Sequence, residues 1–212
     1  LVREISGTYD DTSFALISLI KVMEFDEKFS DCSYDSKNLT LVAATDFNSG
    51  AREMRNFMIF SPSKLLANPS ISTIDDFYNV ERIVAHEYLH HVSGNRITMR
   101  DFFEVTLKEG LTVLRDMYFR EHAGIYGKCS RLEAVTKLRK TQWVQDSGPK
   151  AHSVRPDSIE HKGDFEVSLF TTTVYEKGAE IMRMIQEMIE PDIEKFSKFL
   201  SDNYLSGPIR SS

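Results

Sequence analysis

The segment His86-Glu87-Tyr88-Leu89-His90 constrains this chain more than any other stretch, because it is an H-E-x-x-H motif. In an α-helix, side chains four residues apart lie on the same face, so His86 and His90 can direct their imidazole nitrogens at one metal ion. Zinc is the ion that this arrangement typically binds, and the glutamate after the first histidine is placed to act on a water molecule there. The motif therefore predicts a helix with a zinc site on one face.

The residues before the motif support this prediction. An apolar stripe at helical spacing is formed by Val80, Ile83 and Val84. Glu87 falls inside that stripe, and His90 lies beside it. Because a carboxylate among aliphatic side chains is costly unless it is paired or close to a metal, the pattern favours a functional Glu87 over a solvated helix end with incidental histidines.

A zinc site of this kind needs a third protein ligand and leaves a fourth position for water. Glu109 is the candidate: 18 residues separate it from His90, and a second helix is predicted to begin near Asp101. The charged residues on one side of this second helix are expected to form its solvated face: Glu104, Lys108 and Arg115. Glu109 lies off that face, next to Phe102 and Val113, which predicts that it turns towards apolar neighbours.

The order of predicted elements indicates the fold class. A first helix is expected from an Asp11-Thr12 cap to about Phe29, followed by a buried strand over Leu39–Ala44 and a candidate edge strand over Arg52–Phe60. Trp143 is expected to anchor the core. Five further helices are predicted by a 3.6-residue period: Ile74–Val92, Asp101–His122, Arg131–Trp143, Thr172–Ile189 and Ile193–Tyr204. A small β element followed by helices is the α+β pattern.

Composition excludes several classes of partner. The chain has 212 residues and a formal net charge of −6, whereas a nucleic-acid-binding protein normally shows a basic excess. The sequence contains no recognisable signal peptide, and no apolar run approaches the roughly 20 residues that span a bilayer, so no membrane partner is expected. Cys32 and Cys129 form no motif and are expected to be buried or free thiols, which favours a reducing, cytoplasmic location.

Further motifs accompany H-E-x-x-H. Residues 94–98 read G-N-R-I-T, residues 174–179 read V-Y-E-K-G-A, and Arg155-Pro156 follows Gly148-Pro149. Together with the L-K-E-G-L-T segment around Glu109, these motifs resemble the gluzincin metallopeptidases, and more narrowly the aminopeptidase N (alanyl aminopeptidase) family in its bacterial and protozoan branch. The similarity runs across nearly the whole chain. It implies a single thermolysin-like zinc metallopeptidase catalytic domain of α+β class over residues 1–212.

The resemblance also implies roles for individual residues. One Zn²⁺ per chain would be bound by three ligands: His86, His90 and Glu109. Glu87 would be the general base that takes a proton from the attacking water and delivers it to the leaving amine. Tyr175 would donate a hydrogen bond to the oxyanion of the tetrahedral intermediate. The remaining histidines are expected to lie outside the site: His91, His122, His152 and His161.

Substrate recognition is implied by a further motif. The family's G-A-M-E-N segment is matched here by G-A-R-E-M at residues 50–54. By this resemblance Glu53 would pair with the free α-ammonium of a peptide, which selects chain ends over internal bonds, and the Gly50-Ala51 backbone would pair with the peptide as an added strand. Arg52 replaces the family's methionine and Met54 its asparagine, so Arg52 either pairs with Glu53 or crowds the amine site.

These features predict a zinc-dependent aminopeptidase acting on peptides with a free N-terminus. Two alternatives stay open: a broad metalloendopeptidase, if Arg52 disables the Glu53 anchor, and an inactive or weakly active zinc-binding domain that serves as a scaffold. Family members are several times longer than this chain, which opens at Leu1 rather than at methionine. The chain is therefore expected to be excised from a longer multidomain enzyme or to be a stripped-down one.

Overall fold

The computed structural model describes residues 9–30, 33–156 and 169–200. Its helices and strands are, in chain order, α1 (Tyr9–Ser30), β1 (Thr40–Ala43), β2 (Ala51–Met54), β3 (Phe57–Phe60), α2 (Ile74–Leu89), α3 (Val105–His122), α4 (Cys129–Lys137), α5 (Trp143–Asp146), α6 (Gly178–Ile189) and α7 (Ile193–Leu200). Two π-helical turns lead directly into α5 and α6: Leu138–Gln142 and Thr173–Lys177. A small sheet followed by helices confirms the expected α+β class.

The three strands form one sheet in the order β1-β3-β2. β1 runs parallel to β3, whereas β2 runs antiparallel to it, with Ala51 opposite Phe60. The predicted strand over Arg52–Phe60 is in fact two strands, because the chain reverses at Asn56, whose φ of 64° lies in the left-handed region that asparagine tolerates. Within the described residues, β2 is therefore an open edge of the sheet.

Helix α2 carries the H-E-x-x-H motif and is held at its start by a capping box. Thr73 Oγ1 accepts a hydrogen bond from the Asp76 backbone N–H, and Asp76 Oδ2 accepts one from the Thr73 backbone N–H. The apolar stripe predicted for this helix is buried against α1 and β3, with Val80 and Val84 fully enclosed. The helix ends at Leu89, three residues before the predicted end. The last turn of α2 packs next to α3.

Helices α3 and α6 approach closely at a pair of glycines. A methyl group on Gly110 would lie 2.7 Å from the backbone carbonyl carbon of Gly178, and one on Gly178 would lie 2.8 Å from Thr106 Cγ2. Side-chain carbons do not pack that closely against neighbouring atoms, so the helices meet here because both positions lack a side chain. The contact brings the π-helical turn before α6, which includes Tyr175, against α3.

We expect Gly110→Ala to lower the free energy of unfolding by about 1–3 kcal/mol, the usual cost of overpacking a close contact. For a chain of this size the melting temperature should fall by about 2–12 °C. Gly148→Ala is the matched control, since its added methyl would meet no atom closer than 3.4 Å. Equal melting temperatures for the two variants in thermal unfolding would contradict the close-contact argument.

The environments of Trp143 and Arg115 differ from those predicted. Trp143 is 54% exposed rather than in the core, and the Arg139 guanidinium lies 5.6 Å from its ring centre. Arg115 is buried rather than solvated: it donates to the Leu89 carbonyl at 3.0 Å and forms an ion pair with the buried Asp26 of α1. Helix α1 packs against this side of α3, which the periodicity of α3 alone does not reveal.

The remaining predictions concern the chain's last helix, its cysteines and the membrane. Helix α7 is confirmed as far as Leu200, and residues 201–204 of its predicted range lie outside the described residues. Cys32 and His161 also lie outside them, whereas Cys129 has an exposed free thiol. In the part of the chain that the structure describes, no helix is long and apolar enough to cross a membrane.

Candidate active site

The three side chains predicted to bind a metal, His86, His90 and Glu109, lie together between the end of α2 and α3, and we call them the metal trio. His86 Nε2 and His90 Nε2 are 3.1 Å apart. Glu109 Oε2 lies 3.3 Å from His86 Nε2 and 3.2 Å from His90 Nε2. The three atoms form a nearly equilateral triangle.

The loop between α2 and α3 explains how residues so far apart in the chain meet. Gly94 adopts a φ of 141°, which favours glycine, and a methyl group there would lie 3.1 Å from Lys108 Cε and 3.2 Å from the His90 carbonyl oxygen. The Asn95 and Arg96 backbone N–H groups donate to the His90 and His91 carbonyls, both at 3.0 Å. The G-N-R-I-T segment thus closes the end of α2 and turns the chain back towards α3.

The geometry of the metal trio fits a tetrahedral zinc ion. Zinc bonds of about 2.0–2.2 Å place neighbouring tetrahedral ligand atoms roughly 3.3–3.6 Å apart, close to the separations observed. Glu109 Oε2 is buried and lies next to the Nε2 atoms of both histidines without a well-aligned hydrogen bond, as expected of an oxygen that shares a cation with them. The residues present therefore fit the metal that the sequence implies.

His90 is oriented by a contact behind its ring. Its Nδ1 lies 2.8 Å from the Ser93 carbonyl oxygen, so a proton on Nδ1 donates to that carbonyl. When His90 is neutral with this proton on Nδ1, the lone pair lies on Nε2, the atom that faces the other two members of the metal trio. The Ser93 hydroxyl lies 2.5 Å from Thr112 Oγ1 on α3, which ties the loop to the helix that carries Glu109.

Two more carboxylates converge on the trio. Glu87 points from α2 and is 7% exposed, and burial raises its pKa against the opposing effect of His86 and His90. Glu53 reaches the same place from β2. Carboxylate oxygens of Glu53 and Glu87 and a ring nitrogen of His90 all lie within 4.8 Å of one another. The sheet edge and the H-E-x-x-H helix thus contribute to one site.

Lys108 is a site residue that the sequence analysis missed. Its Nζ lies 2.8 Å from Glu53 Oε1 and 2.6 Å from Glu109 Oε1, and its side chain is only 13% exposed. The prediction that Lys108 belongs to a solvated face is therefore wrong, because this side of α3 faces the Glu53 carboxylate. Its position directly before Glu109 was the available signal, but helical periodicity does not show which charged side chain a distant strand will meet.

The charges in this cluster stabilise one another. Burial opposes the ionisation of Glu53, but His90 and Lys108 outweigh it and lower the pKa of that carboxyl. Burial likewise opposes the ionisation of Glu109, yet His90, His86 and Lys108 hold its pKa well below the usual range. The two carboxylates in turn raise the pKa of Lys108 in spite of its burial. Glu53 and Glu109 are therefore negatively charged at neutral pH.

Tyr175 lies in the second π-helical turn, with its ring centre 6.0 Å from that of His86. Burial raises the pKa of its hydroxyl, and the carboxylates of Glu109 and Glu87 raise it further. The phenol therefore keeps its proton and can act as a hydrogen-bond donor beside the metal trio.

An open cavity of about 320 Å³ adjoins these groups, and its lining includes Ala51, Ile83, His86, Glu87 and Tyr175. Gly50 precedes β2 with a φ of 80°, and its carbonyl accepts from the Ser61 N–H at 2.8 Å. In an antiparallel pair the backbone groups of the next residue then point away from the partner strand. The Ala51 N–H and C=O are thereby directed towards the open edge of the sheet.

The other histidines that the structure describes have their contacts outside the metal trio. His91 is buried, with Nε2 3.6 Å from Asp26 Oδ2. His122 is exposed, and its Nδ1 lies 2.8 Å from the Tyr118 carbonyl oxygen. His152 Nε2 lies 2.7 Å from Thr171 Oγ1.

Two imidazoles and one carboxylate that converge on a point, with a buried glutamate and a protonated tyrosine beside them, form the arrangement expected of a gluzincin-type metal centre on an α+β scaffold. Comparison with known proteins agrees with this class. The model of the Peptidase family M1 domain matches residues 14–207, and the chain belongs to that family.

Individual relatives confirm the expected resemblance to aminopeptidase N. The chain is 42% identical over 184 residues to aminopeptidase N of Caulobacter vibrioides and 39% identical over 183 residues to that of Haemophilus influenzae, in each case over 86% of this chain. Among solved structures, Legionella pneumophila aminopeptidase A in complex with aspartic acid matches 92% of the chain, with a TM-score of 0.71 and 31% identity. The chain spans only 20–21% of the length of these relatives.

Proposed function

We propose that this chain is the catalytic domain of a zinc-dependent aminopeptidase, which hydrolyses the N-terminal peptide bond of peptides with a free amine. The observation that carries the proposal is the meeting of the metal trio with Glu53, a carboxylate from the sheet edge within 4.8 Å of His90 and Glu87. A peptide whose ammonium pairs with Glu53 would present its first carbonyl, and no later one, to the trio. The aminopeptidases among the relatives support this choice.

Zinc bound by the trio would supply a Lewis acid that polarises the scissile carbonyl and acidifies the attacking water. Glu87 takes the proton of that water on its carboxylate and passes it to the nitrogen of the leaving amine. The raised pKa of Glu87 suits this role, because the group must hold a proton between the two steps. Tyr175 donates its O–H to the oxygen that gains negative charge as the carbonyl becomes tetrahedral.

The sheet edge orients the peptide in this proposal. Ala51, preceded by the Gly50 turn, pairs with the peptide backbone as a neighbouring strand would. Lys108 Nζ binds Oε1 of Glu53, and the second oxygen of that carboxylate would bind the substrate ammonium. Successive residues of a strand point to opposite faces, and Arg52 is exposed where Glu53 is largely buried. This alternation directs Arg52 away from the amine site and supports an intact anchor.

The proposal treats residues 1–212 as one catalytic domain, because α1, α2 and the sheet share one hydrophobic core. In this proposal the substrates of the domain are peptides. No nucleic-acid partner is proposed, because the net charge of −6 is the opposite of the basic excess that such proteins normally show. The free thiol of Cys129 agrees with the cytoplasmic location that the cysteine content predicts.

The test compares a panel of amino-acid arylamides, and a free-amine peptide with its N-acetylated twin, on zinc-loaded protein. We expect the free-amine substrates to be cleaved and the acetylated twin to be spared. We expect Glu53→Gln to lower kcat/KM for the free-amine peptide by about 10–100-fold, since it removes a charge-assisted hydrogen bond to the ammonium. Glu187→Gln, on an exposed part of α6, is the control and should match the wild type.

The two alternatives give different results in the same assay. Equal cleavage of both twins would identify a broad metalloendopeptidase and reject the amine anchor. Zinc bound at about one ion per chain, with no hydrolysis of any arylamide or peptide, would instead identify a scaffold domain.

A further inference from the structure

The conformation around Tyr175 is unusual. Thr173–Lys177 forms a π-helical turn, a rare form of helix that often occurs at functional positions. Thr173 and Lys177 lie four residues apart and share one side of the turn, whereas Tyr175 lies between them and projects from the opposite side. A contact that holds the first side therefore sets the direction in which Tyr175 points.

Such a contact comes from the end of α5. The two oxygens of Asp146 bind both ends of the turn: Thr173 Oγ1 donates to Oδ1 at 2.8 Å, and Lys177 Nζ donates to Oδ2 at 2.6 Å. One carboxylate thus spans the whole π-helical turn. A change in the pitch of the turn would move Thr173 and Lys177 relative to each other and would strain this pair of bonds.

The neighbouring Gln145 holds the start of the same turn. Its Oε1 accepts from the Thr172 backbone N–H at 3.2 Å and from Thr172 Oγ1 at 2.6 Å, and its Nε2 donates to Thr173 Oγ1 at 2.9 Å. These bonds use both ends of the amide. Neither Gln145 nor Asp146 belongs to the described lining of the cavity next to the metal trio, so both act at a distance from the reacting atoms.

We propose that Gln145 and Asp146 are positioning residues, which fix the direction of the Tyr175 hydroxyl by clamping the π-helical turn that carries it. This role rests on the proposed function, in which Tyr175 donates to the oxyanion. A hydrogen bond to a developing charge depends steeply on distance, and a misplacement of 1 Å in an active site costs up to about 100-fold in rate. Binding of the substrate amine at Glu53 does not involve the clamp.

The test uses Gln145→Ala and Asp146→Asn in the zinc-loaded protein, with Ser147→Ala as control. Ser147 is the next residue, is exposed, and its hydroxyl donates locally to the Val144 carbonyl. We expect each clamp variant to lower kcat by about 10–100-fold with KM for an arylamide unchanged. Zinc content and melting temperature, measured alongside, identify a variant that has simply unfolded, and Asp146→Asn keeps an oxygen for Thr173.

A second readout separates positioning from general damage. Affinity for a phosphinic dipeptide, which mimics the tetrahedral oxyanion, should fall by the same factor as kcat in calorimetry, whereas affinity for a free amino acid should stay unchanged. In a Tyr175→Phe background, Gln145→Ala should cause no further loss of either quantity. This non-additivity is expected only if the clamp acts through the Tyr175 hydroxyl.

Two results would overturn the role of the clamp alone, provided that the wild type is active. The first is wild-type kcat in both clamp variants. The second is a fold-loss from Gln145→Ala that is equal with and without the Tyr175→Phe substitution. A wild-type protein that neither hydrolyses arylamides nor binds the phosphinate would instead overturn the proposed function, and the clamp role with it.

Discussion

Replacing Glu87 by glutamine is expected to lower kcat by about 10²–10⁴-fold, the usual contribution of a general acid–base group. The amide has nearly the shape of the carboxylate but cannot take a proton from water at neutral pH. Zinc content should stay the same, because Glu87 is not part of the metal trio. Steady-state kinetics on an arylamide, with metal analysis of the same sample, measures both quantities.

Glu81→Gln is the matched control for this experiment. Glu81 lies on the same helix, is fully buried, and binds Lys21 Nζ at 3.2 Å and the Ile125 N–H at 2.7 Å, away from the metal trio. Its replacement should reduce stability with little effect on kcat. A Glu87→Gln protein as active as the wild type would exclude Glu87 as the base.

Replacing Glu109 by glutamine is expected to weaken zinc binding by more than the roughly 10–100-fold that loss of a supporting residue costs. The substitution removes the anionic ligand of the trio and leaves Lys108 with only Glu53 as a charged partner among the described residues. Competition with a chromophoric chelator measures the affinity. At a chelator concentration that removes zinc from the variant by dialysis, the wild type should keep close to one zinc ion per chain.

The control for Glu109→Gln is Glu104→Gln. Glu104 directly precedes α3 and binds Arg100 at 3.0 Å, so its charge lies outside the trio. The Glu104→Gln variant should bind zinc with the same affinity as the wild type. Unchanged zinc affinity in Glu109→Gln would show that the third ligand is another residue. Glu53 and Glu87 would then be the candidates, because their carboxylates also lie within 4.8 Å of a ring nitrogen of His90.

Local patterns in the sequence predicted much of the fold and of the metal site. The stripe of Val80 and Val84 correctly predicts which face of α2 is buried, because residues at helical spacing share a face whatever packs against them. Helical spacing also predicts that His86 and His90 share a face of α2. The third member of the metal trio, Glu109, required the further prediction that a second helix runs back alongside the first. The roles of Tyr175 and Glu53 came instead from resemblance to a family, since a tyrosine or a glutamate alone carries no distinctive pattern.

Other features depended on contacts between distant segments. Helical periodicity grouped Lys108 and Arg115 as a solvated face, yet the structure places Arg115 against Asp26 of α1 and Lys108 against Glu53 of β2. A helical wheel shows which residues share a side but not what covers that side. Pairing with a buried carboxylate stabilises a charged residue in such a place, and the partner is invisible until the chain is folded.

The sequence by itself therefore determined the H-E-x-x-H helix, the α+β order of elements and the identity of the three residues in the metal trio, because these rest on spacing along one or two helices. Only the tertiary structure decided that β2 forms an open edge beside the trio within the described residues, that Lys108 links Glu53 to Glu109, and that Asp146 spans the turn carrying Tyr175. The physical reason is that side-chain periodicity is a local property of the backbone, whereas a charge pair or a clamp joins atoms whose separation in sequence can take any value.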